Sequence, residues 1–166
     1  VNKLFEGLKQ KLVELPSVVQ YKQGNPLELH CDASQSIVGA ILVQVLEDGQ
    51  RAPVWYYSSQ LTSVEKGYST YHREFTAVYK AVQKFHSMLH GKKFVLFTDH
   101  EPLVPMLRRP DRGFSQMKLR WAARCLTLMD YDFHTEWVKG ENNVFPDAFS
   151  RIDSRVAAMN LSLIHI

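Results

Sequence analysis

LELHCDAS, Leu27 to Ser34, decides how the rest of the chain is read. Strand side chains alternate between two faces, so Leu27, Leu29, Cys31 and Ala33 share one side and Glu28, His30, Asp32 and Ser34 the other. The stretch is expected to be a half-buried strand that carries an acid, Asp32, at its end. A carboxylate there is costly to desolvate unless it meets a cation or hydrogen-bond donors, so the surrounding sequence has to supply them.

Upstream, Leu4, Phe5, Leu8, Leu12 and Leu15 recur at helical spacing until Pro16 stops the pattern, and Gly24, Asn25 and Pro26 form a turn signal. Downstream, the branched apolar run Ile37 to Leu46 (IVGAILVQVL) and the strand-like Ala52 to Ser58 flank the turn pair Asp48-Gly49. Three strands joined by tight turns make an antiparallel meander. The period then changes: Tyr71, Phe75, Val78, Val82, Phe85 and Leu89 step by three or four, which predicts a long helix with Thr70 as N-cap and Gly91 as its stop. Phe94 to Thr98 (FVLFT) is apolar on both faces, as in a central strand, and it too ends in an acid, Asp99. A short helix over Pro102 to Leu107 follows. A longer one spans Ser115 to Met129 with Met117, Trp121, Cys125 and Leu128 on its apolar face, and a strand covers Phe133 to Val138. Lys139 to Asn143 reads as a loop. Pro146 suits the first turn of a closing helix that runs to about Ile152. A meander feeding alternating helices and strands predicts an α/β fold: a mixed five-stranded sheet with helices on both faces.

At 166 residues, 45% hydrophobic and 22% charged, the chain has the make-up of one globular domain with short flanks. Residues 1–26 are expected to lead into a domain at 27–152, with 153–166 as a tail or linker. Cys31 and Cys125 sit in apolar patterns without metal-finger spacing, so they read as buried thiols of a reducing compartment. No apolar run approaches the ~18 residues of a membrane span, and no membrane partner is expected. Val1 in place of Met fits a processed product or a piece of something larger, and equally a sequencing boundary. The net charge of +3 is too small to prove an acidic partner by itself.

Asp32, Glu74, Asp99 and Asp147 are the candidate functional acids. Asp32 and Asp99 end apolar strands, Glu74 falls in the first turn of the long helix, and Asp147 falls in the first turn of the closing helix, where the helix dipole favours its ionised form. Strand ends and helix starts meet at one rim of an α/β sheet, where ligands collect. Four acids on that rim would repel one another unless a cation lay between them. An all-oxygen set points to a hard ion, Mg²⁺ or Mn²⁺. Two such ions ~4 Å apart are a recurring device for cleaving phosphodiesters. Arg108, Arg109, Arg112, Lys118, Arg120 and Arg124 cluster in sequence around the two later helices, spaced to follow duplex phosphates or else to form a solvated basic face. Tyr68, Tyr71 and Trp55 rank low as stacking residues, and His30, His72 and His134 lack ligand spacing.

The series CDASQSIVGAILVQ (31–44), YSSQLTSVEKGYSTYHREFTAVYKAVQKF (57–85), FTDHEPL (97–103), LRWAARCLTLMDYDFHTEWVKGENN (119–143) and PDAFSR (146–151) resembles the ribonuclease H domain of Ty3/gypsy-type retrotransposon reverse transcriptases. The resemblance covers roughly Leu27 to Arg151, and FEGLKQKLVELPSVVQY (5–21) is similar to the segment that joins the polymerase to this domain. It implies a ribonuclease H-like fold, two divalent ions (Mg²⁺, with Mn²⁺ as substitute) and hydrolysis of the RNA strand of an RNA/DNA hybrid during reverse transcription. It also implies a polymerase partner in the same polyprotein and a location in cytoplasmic or nuclear retroelement particles. By motif, the family's acids fall on Asp32, Glu74, Asp99 and Asp147. The chain departs from related enzymes in having no histidine between Val138 and Pro146, where only His100 beside Asp99 could partly serve, and in having Pro146 before the last acid. Two other readings are carried: a non-catalytic ribonuclease H-like binding or tethering module, and a DNA-cutting transposase or integrase of the same broad fold, which the TDH and PDAFSR motifs disfavour.

Overall fold

The computed structural model describes residues 17–109 and 118–139. The expected helix at Leu4 to Leu15, Arg112, the 139–143 loop beyond Lys139, Pro146, Asp147, the closing helix and the tail lie outside the described residues. Strands β1 (Leu27–Ala33), β2 (Ile37–Val45) and β3 (Arg51–Gln60) are the predicted meander. A four-residue helix α1 (Ser63–Lys66) follows, then α2 (Thr70–Lys84), α3 (His86–Leu89) and β4 (Lys93–Thr98). A 3₁₀ turn (Glu101–Leu103) leads into α4 (Val104–Arg108), and α5 (Leu119–Met129) and β5 (Asp132–Trp137) complete the described elements.

The sheet order is β3-β2-β1-β4-β5, antiparallel through the meander and parallel between β1 and β4 and between β4 and β5. β1 is therefore the central strand. The expectation of a half-buried β1 is corrected: Glu28 and Asp32 on its polar face are themselves buried, at 6% and 7% exposure. One face, with Leu29, Cys31, Ala40, Leu42 and Leu96, packs under Phe75, Val78 and Val82 of α2, Leu107 of α4, and Trp121 and Cys125 of α5. Ile37, Ile41 and Val43 on the opposite face are buried too, as a sheet covered on both sides requires.

The turns are held by the residues that mark them. Ser34 closes the β1–β2 turn, its hydroxyl accepting from the Ile37 N–H at 3.0 Å. Gly49 takes a φ of 80° at the β2–β3 turn, a conformation costly for any residue with a Cβ. Three helix boundaries differ from the sequence expectation, one of them the start of α5, which opens at Leu119 after an extended Lys118 (ψ 141°) and not at Ser115. Ser69, not Thr70, caps α2, its side chain accepting from the His72 N–H. The long helix is also broken at Phe85 (φ −97°, ψ 18°), and the break keeps both Phe85 and Leu89 in the core. α1 was not foreseen. Thr62 and Glu65 form a reciprocal capping box there, which lets so short a helix persist.

Candidate metal centre and nucleic-acid face

The parallel register places Cys31 beside Thr98, so the residues that follow them, Asp32 and Asp99, emerge together from the carboxyl ends of adjacent strands. α2 crosses this end of the sheet and contributes Glu74. Because Thr70 opens α2, Glu74 belongs to its second turn and not the first, which correctly puts it on the sheet-facing side beside buried Phe75 and Val78. Carboxylate oxygens of Asp32, Glu74 and Asp99 all lie within 4.8 Å of one another. Glu74 is only 5% exposed. Burial, then the charges of Asp32 and Asp99, push its carboxyl up to about 9, although the Ala33 N–H donates to it.

Three acids so close, with Glu74 held protonated when they face only each other, make a site that could hold a metal ion. The donors are all oxygens, in keeping with a hard ion such as Mg²⁺. Asp147, the fourth expected acid, lies outside the described residues. Beside the triad, His100 is half-buried, its ring 5.9 Å from that of Tyr71, and its N–H donates to Thr98 Oγ1 at 3.2 Å. The Trp137 indole on β5 donates to the Asp99 carbonyl at 3.1 Å and ties this rim to the sheet edge.

A cleft of about 410 Å³ opens between the start of α2 and the start of α5, lined by Tyr68, Tyr71, His72, Lys118, Arg120 and Trp121 among others. His72 stacks on Trp121 with ring centroids 4.3 Å apart, and burial, then Arg120 and Lys118, hold its imidazole below the usual range. A neutral histidine leaves Lys118 and Arg120 as the cations of the cleft. Arg120 donates to the Tyr68 hydroxyl at 3.0 Å.

The expected basic face divides. Lys118 and Arg120 are exposed on it, and Arg109 is exposed at the end of α4. Arg108 instead donates to the Thr135 carbonyl of β5 at 3.2 Å. Arg124 is turned inward: it donates to Thr76 Oγ1 at 2.8 Å, pairs with Glu65 at 3.5 Å, and stacks 4.9 Å above Tyr79. Lys80 completes this cluster with a 2.7 Å contact to Glu65. Glu65 and Lys80 lie fifteen residues apart and carry no pattern in the sequence that joins them. The capping-box spacing from Thr62 to Glu65 was the one available signal.

A family profile described as "RNase H-like domain found in reverse transcriptase" matches residues 22–131. The chain is 33% identical over 152 residues to the retrovirus-related Pol polyprotein from transposon 412 of Drosophila melanogaster, which covers 91% of this chain and 12% of that protein. It is 30% identical over 150 residues to the transposon Tf2-3 polyprotein of Schizosaccharomyces pombe, covering 89% of this chain and 11% of the polyprotein. The chain thus spans about an eighth or less of these curated relatives. Among solved structures, a foamy viral protease-reverse transcriptase in complex with RNA/DNA hybrid superimposes with a TM-score of 0.60 at 18% identity, over 81% of this chain and 18% of that one. LC11-RNase H1 in complex with RNA/DNA hybrid gives 0.56 at 15% identity, over 78% of this chain and 99% of that one. The fold is accordingly ribonuclease H-like.

Proposed function

Because the chain belongs to the family of RNase H-like domains found in reverse transcriptases, we propose that it hydrolyses the RNA strand of RNA/DNA hybrids in a divalent-metal-dependent reaction, as one module of a retrotransposon polyprotein. The observation that carries this reading is the convergence of Asp32, Glu74 and Asp99 within 4.8 Å at the end of β1 and β4. These three residues, joined by Asp147, would hold Mg²⁺ or Mn²⁺, which when bound supplies Lewis-acid activation of water and charge neutralisation at the scissile phosphate.

The chain's own residues account for the remaining requirements. Asp32 and Asp99 are presented by a rigid parallel strand pair, which keeps their spacing fixed as substrate arrives. Glu74, held protonated by burial and by the two other acids, would be the member of the triad whose ionisation is coupled to the binding of a cation. Lys118 and Arg120 would hold backbone phosphates of the hybrid, with Arg109 nearby in sequence, while Trp121 and Tyr68 build the wall of the cleft. His100, adjacent to Asp99, is placed to contact product or a departing phosphate. The polyprotein relatives support a polymerase neighbour in the same chain; residence in cytoplasmic or nuclear retroelement particles is part of the proposal and rests on the family reading alone.

The deciding measurement is cleavage of an end-labelled RNA/DNA hybrid by the whole chain with Mg²⁺, compared with Asp32→Asn. The expected outcome is cutting of the RNA strand alone by wild type and a loss of at least ~100-fold in the variant, the scale on which removal of one electrostatic stabiliser acts. Binding without cleavage would favour the tethering module. Strand transfer on DNA ends would favour the transposase or integrase reading.

A further inference from the structure

Gln44 stands near the end of β2, inside an apolar run, with only 1% of its surface exposed. A buried amide must place one acceptor and two donors, and this one directs its hydrogen bonds to the segment ahead of β1. Its Oε1 accepts from the Lys22 N–H at 2.9 Å and from Asn25 Nδ2 at 3.1 Å, and its Nε2 donates to the Gln20 carbonyl at 2.9 Å. The same segment is fastened at other points. The Val19 N–H donates to the Pro53 carbonyl of β3 at 2.8 Å, the Val45 N–H donates to the Pro26 carbonyl at 2.9 Å, and Lys92 Nζ sits 4.4 Å above the Tyr21 ring. Between these anchors the chain reverses in a Lys22–Asn25 turn at Gly24, whose φ of 99° only glycine adopts cheaply.

We propose that Gln44 is a positioning residue which clamps residues 19–26 onto the body of the domain as a strap, and that the strap sets the reach between this domain and the polymerase that precedes it. The second half rests on the reading of the chain as a reverse-transcriptase nuclease. Were the segment free, the swing point would lie at Pro26. Clamped, residues 19–26 move with the domain, and roughly eight residues at ~3.3 Å each, about 26 Å of reach, are withdrawn from the connection. Release of the strap would also strand the Gln44 amide without partners, so the strap and β2 hold one another in place.

Hydrogen exchange of individual amides in the 166-residue chain tests the clamp. In wild type the Val19 and Lys22 amides exchange slowly. In Gln44→Leu, which stays close to the volume and removes the three bonds, both exchange at least ten-fold faster, a larger factor than at the β1 and β4 amides, which report the accompanying change in global stability. Asn25→Ala, at the one half-buried residue of an otherwise exposed turn, gives a smaller increase at Lys22 and covers the case in which Gln44→Leu fails to fold. Fast exchange at Lys22 in wild type, or no change in either variant, overturns the clamp. In the longer reverse transcriptase that contains this domain, Gln44→Leu broadens the distribution of RNA cuts measured from the DNA 3′ end and leaves the total cleavage rate within two-fold. An unchanged distribution despite a released strap overturns the positioning role. Failure of the isolated chain to cut any hybrid counts against the proposed activity and leaves the exchange result standing.

Discussion

Glu74 shows how one side chain reports on the whole site. Its folded-state pKa of about 9 lies above the ordinary 4.5, chiefly because of burial and then because of Asp32 and Asp99. The metal-free folded protein therefore binds this proton more tightly than the unfolded chain does. The associated stability is fully present below 4.5 and is lost as pH rises toward 9. With a chelator, the Tm is expected to fall across that interval, and Glu74→Gln, which needs no proton to be neutral, flattens the fall. Mg²⁺ at the alkaline end restores the Tm of wild type and not that of the variant. Thermal denaturation against pH, with and without the ion, checks both statements. Asp32 and Asp99 were legible in the sequence because an acid ending an apolar strand is conspicuous. Glu74 was legible only as a residue bordering an apolar stripe, and its turn was misjudged because Ser69 and Thr70 are both competent caps. Gln44 was not legible at all, since a single amide in IVGAILVQV looks like one solvent-facing position of an alternating strand.

At the level of elements, the Glu65 cluster joins α1, α2 and α5. Burial raises the Glu65 carboxyl, but Lys80 and the capping contacts with Thr62 outweigh it, and the net pKa lies below the usual value. Its contribution is therefore present above about pH 4.5 and disappears as pH falls through the lowered value. Glu65→Ala leaves Lys80 and Arg124 facing a partly buried void. We expect a loss of about 2–3 kcal/mol at neutral pH in denaturant unfolding, less than for a fully enclosed pair because both cations retain some solvent. Arg124→Ala should likewise lower stability more than hybrid binding. Arg120→Ala should do the reverse, weakening hybrid binding and reducing the salt-dependence slope by about 1, read from binding isotherms at several salt concentrations. The two arginines are four residues apart on α5, and nothing in their spacing separates them. What does is Glu65, more than fifty positions away in sequence, and that pairing exists only once α1 has docked. α1 itself was missed because four residues are too few to display a period.

At the scale of the whole molecule, the mixed five-stranded sheet was readable because strand alternation, the Asp48-Gly49 turn and the switch to helical spacing at Tyr71 all agree. The strand order was not derivable from local pattern, because β1 meets β4 across 59 residues of intervening chain. β1 is buried along most of its length and β4 at Phe94, Leu96 and Thr98, so the amides of these two strands are expected to be the slowest to exchange among the described residues, opening only with global unfolding. Hydrogen exchange across a denaturant series checks this.

The β1–β4 pairing also orders events in time. As the chain is synthesised, Asp32 and Glu74 are in place long before Asp99, and the three meet only when the last of the two neighbouring strands is laid down beside the first. A nascent or truncated product that stops short of β4 carries two of these acids and no place to bring the third. The assembled triad is thus a property of the closed sheet, and no product ending before Thr98 can present it.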